Sequence, residues 1–339
     1  MSSGPRVAVI LAGGRGTRLR PLTLHTPKGL LPVVNRPLLS YELEWLRQAG
    51  VERVILAVGE LAEALEAGLG AAWQGLELVY RHEPEPLDTA GALRFAAGDL
   101  TETFWALNGD LIFDLDPAPM LALHRERGAA LTLALRQVAD AAPFGLIERD
   151  ERGQVTAFRE KVPGGARAGS TVNFGVYLME PEVLARVPEG EPYSNERQLF
   201  PELLAAGVRV LGYLPERAGY WADVGRVETY LQANRDLLAG ALPWLTPAVG
   251  KPTAISLAAE VLPPCDLAAG VRVREGARVG PYVSAGAGAA IGEGAWVSES
   301  ILHLCAQVGK GARLRRVVVG SGVEVPAGHE QEGGVIVGE

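Results

Sequence analysis

The chain has 339 residues, is 48% hydrophobic and 21% charged, and carries a formal net charge of −8 at pH 7. That length exceeds one ordinary core and suggests two domains, and the acidic balance argues against a general nucleic-acid binder, so any phosphate affinity has to be local. Only Cys265 and Cys305 occur, without metal-type spacing, and no apolar run reads as a signal peptide or a membrane span, so the expectation is a cytoplasmic protein without a disulfide framework, zinc site or membrane partner.

The first element is Val7-Ala8-Val9-Ile10-Leu11, an apolar run that reads as a buried strand. It empties into Ala12-Gly13-Gly14-Arg15-Gly16-Thr17-Arg18, with Lys28 behind. Glycines let backbone N–H groups approach a polyphosphate closely, and a following helix would aim its positive end at the anion. The loop is neither of two better-known phosphate loops. There is no G-x-x-x-x-G-K-[ST], and Leu19 stands where a dinucleotide fingerprint wants a third small residue.

Leu38 to Ala49 has helical apolar spacing and stops at Gly50; Val51 to Val58 reads as a strand, followed by a helix near Leu61–Leu69. Leu76–Tyr80 is a further strand, Ala90–Ala97 a helix, and Phe104–Leu107 a strand running into Asn108-Gly109-Asp110. Strands alternating with helices imply an α/β, Rossmann-like, mostly parallel sheet that binds its ligand at the strands' carboxyl ends. This domain is expected over 1–235, and a connector containing Pro243, Pro247, Gly250 and Pro252 over 236–262.

The tail changes period. Leu267, Val273, Val279, Ala285, Ile291 and Val297 fall every six residues, and a five-residue step shifts the frame to Leu302, Val308 and Leu314. Such hexads mark a parallel β-helix, expected over 263–339 with about three coils.

The string Gly13-Gly14-x-Gly16-Thr17-Arg18-Leu19-x-Pro21-Leu22-Thr23, with Pro27-Lys28 next, closely resembles the signature of sugar-1-phosphate nucleotidyltransferases. That resemblance implies a Mg²⁺-dependent enzyme that joins a nucleoside triphosphate to a sugar 1-phosphate and releases pyrophosphate. It also implies that the tail is a left-handed hexapeptide β-helix. Arg18 and Lys28 would then act catalytically on the triphosphate, and Leu11, Ala12, Gly13, Gly14, Gly16 and Thr17 would bind the nucleotide. Glu83 and Asp88 fall where the family reads the base. Asp110, after a strand, and Asp223, in Trp221-Ala222-Asp223-Val224-Gly225, match the family's metal-holding aspartates; two hard carboxylates plus phosphate oxygens suit Mg²⁺. Asn108, Gly145, Glu160, Lys161 and Asn173 match sugar-phosphate positions.

Lysine is scarce: of 32 Lys and Arg, the lysines are Lys28, Lys161, Lys251 and Lys310, and two of these lie inside candidate motifs. A compact ammonium is not interchangeable with a guanidinium where one phosphate oxygen must be met. The match has departures. Gly29 follows Lys28, Pro163 comes one residue late after Glu160-Lys161, and Asp88 replaces the first glycine of an L-G-T-A-G-A-L segment, which bears on base recognition. His25, His82, His124, His303 and His329 are expected to be structural, since a sugar phosphate needs no general base.

The expectation is therefore guanylyl transfer from GTP to mannose 1-phosphate, most like the mannose-1-phosphate guanylyltransferases with a β-helical tail. Alternatives are a glucose-1-phosphate thymidylyl- or uridylyltransferase, an N-acetylmuramate-1-phosphate uridylyltransferase, a non-catalytic regulatory subunit of the same fold, and a bifunctional enzyme whose tail transfers acyl groups. Homo-oligomers are expected, with no nucleic-acid or membrane partner.

Overall fold

The computed structural model describes residues 4–138, 145–159, 169–245 and 254–338. The chain forms two compact units that do not follow chain order: Met1–Arg15 with Tyr41–Gly219, and Gly16–Ser40 with Tyr220–Glu339. Among the described residues no helix is long and apolar enough to cross a membrane.

The first unit is a mixed sheet. Beside a two-residue edge strand, Ala72–Trp73, its strands are β1 (Val7–Leu11), β2 (Arg53–Val58), β3 (Leu76–His82), β4 (Phe104–Asn108), β5 (Leu131–Val138), β6 (Leu146–Arg149), β7 (Val155–Arg159), β8 (Ser170–Met179) and β9 (Val210–Tyr213). β1 lies at the centre, parallel to β2 on one side and β4 on the other, with β3 beyond β2. Val9 pairs with both Ile55 and Ala106. An all-apolar β1 suits this position, because a central parallel strand is covered on both faces. β8 runs antiparallel to β4 and to β5, and β9 parallel to β5.

Between these strands run α1 (Leu39–Gln48), α2 (Ala62–Leu69), α3 (Asp88–Ala97) and α4 (Pro117–Arg127). α4 shows how sequence sets the ends: Asp116 accepts a bond from the Ala118 N–H at 3.0 Å, Pro117 opens the helix, and Gly128 closes it at φ 56°. The chain turns from β1 to β2 and β3 in one direction and reaches β4 on the other side of β1. The carboxyl ends of β1 and β4 are thus a topological switch point, the place where open α/β sheets bind ligands.

The second unit holds a hairpin of Pro32–Val33 and Arg36–Pro37, the helix α5 (Val227–Leu238), and a stack of short parallel strands in three five-stranded sheets. This stack has the arrangement of the expected left-handed β-helix. Along one sheet, Ala254 pairs with Arg272, Arg272 with Ala290, Ala290 with Gln307, and Gln307 with Glu324. The coils thus shorten from 18 to 17 residues after the five-residue step at Val297–Leu302. Every aliphatic of the hexad series, from Leu267 to Leu314, is buried.

Three expectations change. No α-helix follows the glycine-rich loop; a three-residue turn, Thr17–Leu19, does, opened by Gly16 in the left-handed region. A pattern of small residues and arginines did not distinguish the two, and Pro21 stops a helix from extending. The β-helix has five levels rather than about three. It begins inside the stretch read as connector, at Ala254–Ile255 and Glu260–Val261, where prolines masked the hexads.

Candidate active site

In the first unit the loop leaving β1 is held by the Ala12 N–H donating to the Ala57 carbonyl at 2.8 Å. Gly13 lies against Glu83: a Cβ at Gly13 would be 2.5 Å from the Glu83 Oε1. Only a glycine lets that carboxylate and the loop backbone share this space. Glu83 follows β3 and accepts a bond from the Leu87 N–H at 3.2 Å. Burial pushes its pKa up, with that bond opposing.

Asn108 ends β4 in register with Leu11, and the Gly109 N–H donates to the Leu11 carbonyl at 3.0 Å, so Asp110 emerges beside the glycine-rich loop. Next to it on β8, the Asn173 amide donates to the Tyr177 hydroxyl at 2.7 Å and to Glu196 at 3.0 Å, while its carbonyl oxygen accepts from the Gly175 N–H at 3.0 Å. Asn108 approaches the same group, because a Cβ at Gly175 would be 3.0 Å from its side-chain amide. Tyr177 is buried; desolvation raises its phenol pKa first, and the Glu196 and Asp110 charges add to this. Asp110, Asn108, Asn173 and Tyr177 thus gather at one end of β4 and β8.

Asp88 takes φ 55°. The glycine of the resembled family would enter this left-handed conformation without strain, whereas an aspartate enters it with help from a local hydrogen bond. The Asp88 carboxylate supplies that bond by accepting from the Thr89 N–H at 2.7 Å, and it pairs with Arg197 at 2.5 Å. The aspartate thus has a local bond supporting its left-handed backbone, and it sets an anchored charge at the start of α3. Gly145 stands exposed just before β6. Glu160 and Lys161 lie outside the described residues.

In the second unit, Gly16 adopts φ 55° and its carbonyl accepts from the Thr23 hydroxyl at 2.8 Å. A Cβ on Gly16 would also be 3.5 Å from the Lys28 Cβ, so the turn carrying Thr17 and Arg18 packs on the turn Lys28–Leu30. Asp223 ends a short strand, Trp221–Asp223, and Gly225 follows. A Cβ at Gly225 would be 2.9 Å from both the Arg18 Nη2 and the Asp223 Oδ1. Arg18 and Asp223, some 200 residues apart in the chain, are thereby neighbours packed against the bare backbone of Gly225, where a side chain would clash with both. Among the described residues no three His, Cys, Asp or Glu form a metal-holding group.

Tyr177, Glu196 and Arg197 were not singled out from sequence. Tyr177 closes the run Asn173-Phe174-Gly175-Val176-Tyr177, and its place four residues after Asn173 is the available signal. Glu196 and Arg197 carried none, being one charged pair in a polar turn.

The profile of the nucleotidyl transferase family matches residues 7–240. The chain belongs to that family. It is 36% identical over 324 residues to the mannose-1-phosphate guanylyltransferase of Mycobacterium tuberculosis, covering 95% of this chain and 81% of that protein. It is 31% identical over 333 residues to the UTP–glucose-1-phosphate uridylyltransferase of Synechocystis, covering 91% and 85%. Among solved structures it is similar to HddC from Yersinia pseudotuberculosis complexed with GMP-PN, at 25% identity and a TM-score of 0.57, over 68% of this chain and 99% of that one. The expected family, its nucleotidyltransferase fold and the class of reaction are borne out: the protein is an enzyme of sugar nucleotidyl transfer.

Proposed function

We propose that this enzyme transfers a guanylyl group from GTP to mannose 1-phosphate, with Mg²⁺, giving GDP-mannose and pyrophosphate. The observation that supports GTP is the Glu83 carboxylate set against Gly13 of the phosphate loop. Guanine offers two adjacent donors, its ring N–H and its exocyclic amine, which one carboxylate meets with both oxygens. Uracil and thymine offer one N–H between two carbonyls, and those carbonyls are repelled by a carboxylate.

In this reading Leu11 to Thr17 present backbone to the phosphates, and Arg18 and Lys28 meet the charge that develops as pyrophosphate departs. Asn108, Gly145, Glu160, Lys161 and Asn173 hold the sugar phosphate. Its second pKa is near 6, so a phosphate oxygen is already ionised and attacks the α-phosphorus without a general base. One P–O bond forms as the bond to the β-phosphate oxygen breaks, and the electron pair leaves with pyrophosphate.

Asp110 and Asp223 are the proposed Mg²⁺ ligands. The donor chemistry fits: each is a hard carboxylate, Asp223 stands with the phosphate-facing Arg18 at Gly225, and the remaining positions suit phosphate oxygens and water. Mg²⁺ would neutralise charge on the converging phosphates. The reading keeps residues 1–235 as the stretch that carries the catalytic groups, a cytoplasmic location, supported by two free cysteines, and a homo-oligomeric state.

A second reading, UTP with glucose 1-phosphate, is favoured by the Synechocystis relative. Pyrophosphate release from GTP, UTP and dTTP, each with mannose 1-phosphate and glucose 1-phosphate, separates them. GTP with mannose 1-phosphate is expected to be fastest; a clear preference for UTP with glucose 1-phosphate would establish the second reading instead.

A further inference from the structure

Within the second unit, the β-helix carries a buried polar stripe on two adjacent strands and the turn beyond: Asp266, Ser284 and His303 are each at most 5% exposed. Polar groups this deep need partners. Theirs come from two chain segments that also carry proposed catalytic groups. The first is the hairpin Pro32–Pro37, a few residues after Lys28. Its tip, Val34-Asn35, turns through φ 45° and 54°. The Asn35 amide donates to the Asp266 carbonyl at 3.0 Å, the Asp266 Oδ2 at 2.9 Å and the Ala285 carbonyl at 3.1 Å.

The second segment is α5, which starts four residues after Asp223. Its Asn234 Oδ1 accepts both the Val34 N–H at 3.0 Å and the Ser284 hydroxyl at 2.7 Å. One turn earlier, the Tyr230 hydroxyl donates to the Pro32 carbonyl at 2.6 Å. Its single proton being used there, the tyrosine oxygen accepts from the His303 Nε2–H at 3.0 Å. Burial holds His303 neutral, its pKa pushed down to about 4. Further along α5, Arg235 pairs with Glu299 at 2.6 Å and covers the Tyr282 ring at 4.7 Å.

Most of these contacts join a β-helix coil to the hairpin or to α5, and two, Tyr230 to Pro32 and Val34 to Asn234, tie the hairpin to α5. The same two segments lead back to Lys28, Arg18 and Asp223, which lie around Gly16 and Gly225. Hydrophobic packing alone would leave the hairpin free to slide, whereas directional bonds to fixed coil carbonyls define one position.

We infer that the β-helix is a base plate for the triphosphate-facing groups, with Asn35 and Asn234 as positioning residues that set Lys28 and Asp223 through the hairpin and α5. This rests on the proposal that Lys28 meets the triphosphate. It assigns the tail a part in every turnover, so a chain cut near Arg235, which would sever α5 and remove the coils, loses activity.

The clean variant is Asn35→Gly, because glycine tolerates the positive φ and removes only the amide. Its kinetics are measured with GTP and with UTP against mannose 1-phosphate and glucose 1-phosphate, beside Ser284→Ala and Lys28→Ala, with circular dichroism and amide hydrogen exchange on each. For Asn35→Gly the expected result is a native spectrum, faster exchange over residues 28–38, and a KM for the triphosphate raised about tenfold or more, as for loss of a few buried bonds. The KM for the sugar phosphate should move by less than twofold.

Unchanged triphosphate kinetics in Asn35→Gly, or equal changes for both substrates, would overturn the inference while Lys28→Ala still raises the triphosphate KM. A Lys28→Ala enzyme with unaltered triphosphate kinetics would instead remove the reading on which it rests. If Asn35→Gly fails to fold, Ser284→Ala carries the same expectation at a few-fold scale, and an unaltered triphosphate KM there is the contrary result.

Discussion

In the sheet unit, the proposed site groups leave the carboxyl ends of neighbouring strands. Leu11, Glu83, Asn108 and Asp110 are close because β1, β2, β3 and β4 pair in register. In the β-helix unit, Arg18, Lys28 and Asp223 gain their places differently. Near these residues the segments 16–40 and 220–238 hold only three-residue elements, Thr17–Leu19, Lys28–Leu30 and Trp221–Asp223, and a stack of coils supplies fixed carbonyls and hydroxyls for the hairpin and α5 to hold. A parallel sheet positions chemistry by its own ladder, whereas the second unit positions it through side-chain bonds to a rigid neighbour. The first arrangement resists the loss of one side chain, and the second depends on a handful of amides.

Five substitutions sharpen or break that contrast. The largest effect is expected where charge rather than position is lost. Asp110→Asn and Asp223→Asn should each reduce turnover by at least about a hundredfold, on the scale of 3 kcal/mol or more for a lost electrostatic contact in the transition state, with the circular dichroism spectrum unchanged. Near-normal turnover in either would take that residue out of the metal site.

Next, Ile291→Ala removes a fully buried side chain from the β-helix core. It should cost about 2–5 kcal/mol of stability, read as a lower denaturation midpoint. Because the tail is the base plate, its loss should raise the triphosphate KM before it touches the sugar-phosphate KM; the opposite order would blur the division between units.

Third, Asn173→Ala in the sheet unit removes the amide that bridges Tyr177 and Glu196. The sugar-phosphate KM should rise about tenfold, as for one or two buried hydrogen bonds, with triphosphate KM little altered.

The smallest effect concerns Asp266. One of its oxygens has no hydrogen-bond partner among the described residues, and burial pushes its pKa up to about 6 from 3.8. The folded state therefore binds this proton more tightly than the unfolded chain. Its contribution to stability is present below about pH 4 and is lost as pH rises through about 6. Asp266→Asn, which keeps an acceptor for Asn35, should raise the melting temperature by about 2 °C at pH 7.5, with the gain shrinking towards pH 4. An equal gain at both values would assign the effect to something other than the carboxylate.

Much of this was legible from residue order. The strand Val7–Leu11 falls where the apolar run does, and the hexad aliphatics are all buried in the tail. Both signals are local periodicities, which survive without knowledge of the fold. The polar stripe was not legible, since Asn35, Asn234 and Ser284 are ordinary turn, helix and coil residues until distant segments meet. The left-handed Asp88 is visible in sequence only as a mismatch in a motif; that its carboxylate secures the backbone and pairs with Arg197 follows from the fold, which brings residues 88 and 197 together. The tail has more levels than the hexad series shows because its first strands lie among prolines and its last, Glu330–Glu332 and Val335–Ile336, lie beyond Leu314, where the series ends.

The central claim, that the Glu83 carboxylate reads guanine beside the phosphate loop, is tested most directly by equilibrium binding of GTP and ITP to the unmodified enzyme and to Glu83→Gln, from pH 5 to 8. ITP lacks the exocyclic amine, so one carboxylate oxygen loses its donor. The account predicts that the unmodified enzyme binds GTP about tenfold more tightly than ITP at pH 8, as for one charge-assisted hydrogen bond. Since burial raises the Glu83 pKa, that margin should shrink as the pH falls and the carboxylate takes up a proton, and Glu83→Gln should show a smaller, pH-independent margin. Equal affinity for GTP and ITP at pH 8, or a margin untouched by Glu83→Gln, would contradict it.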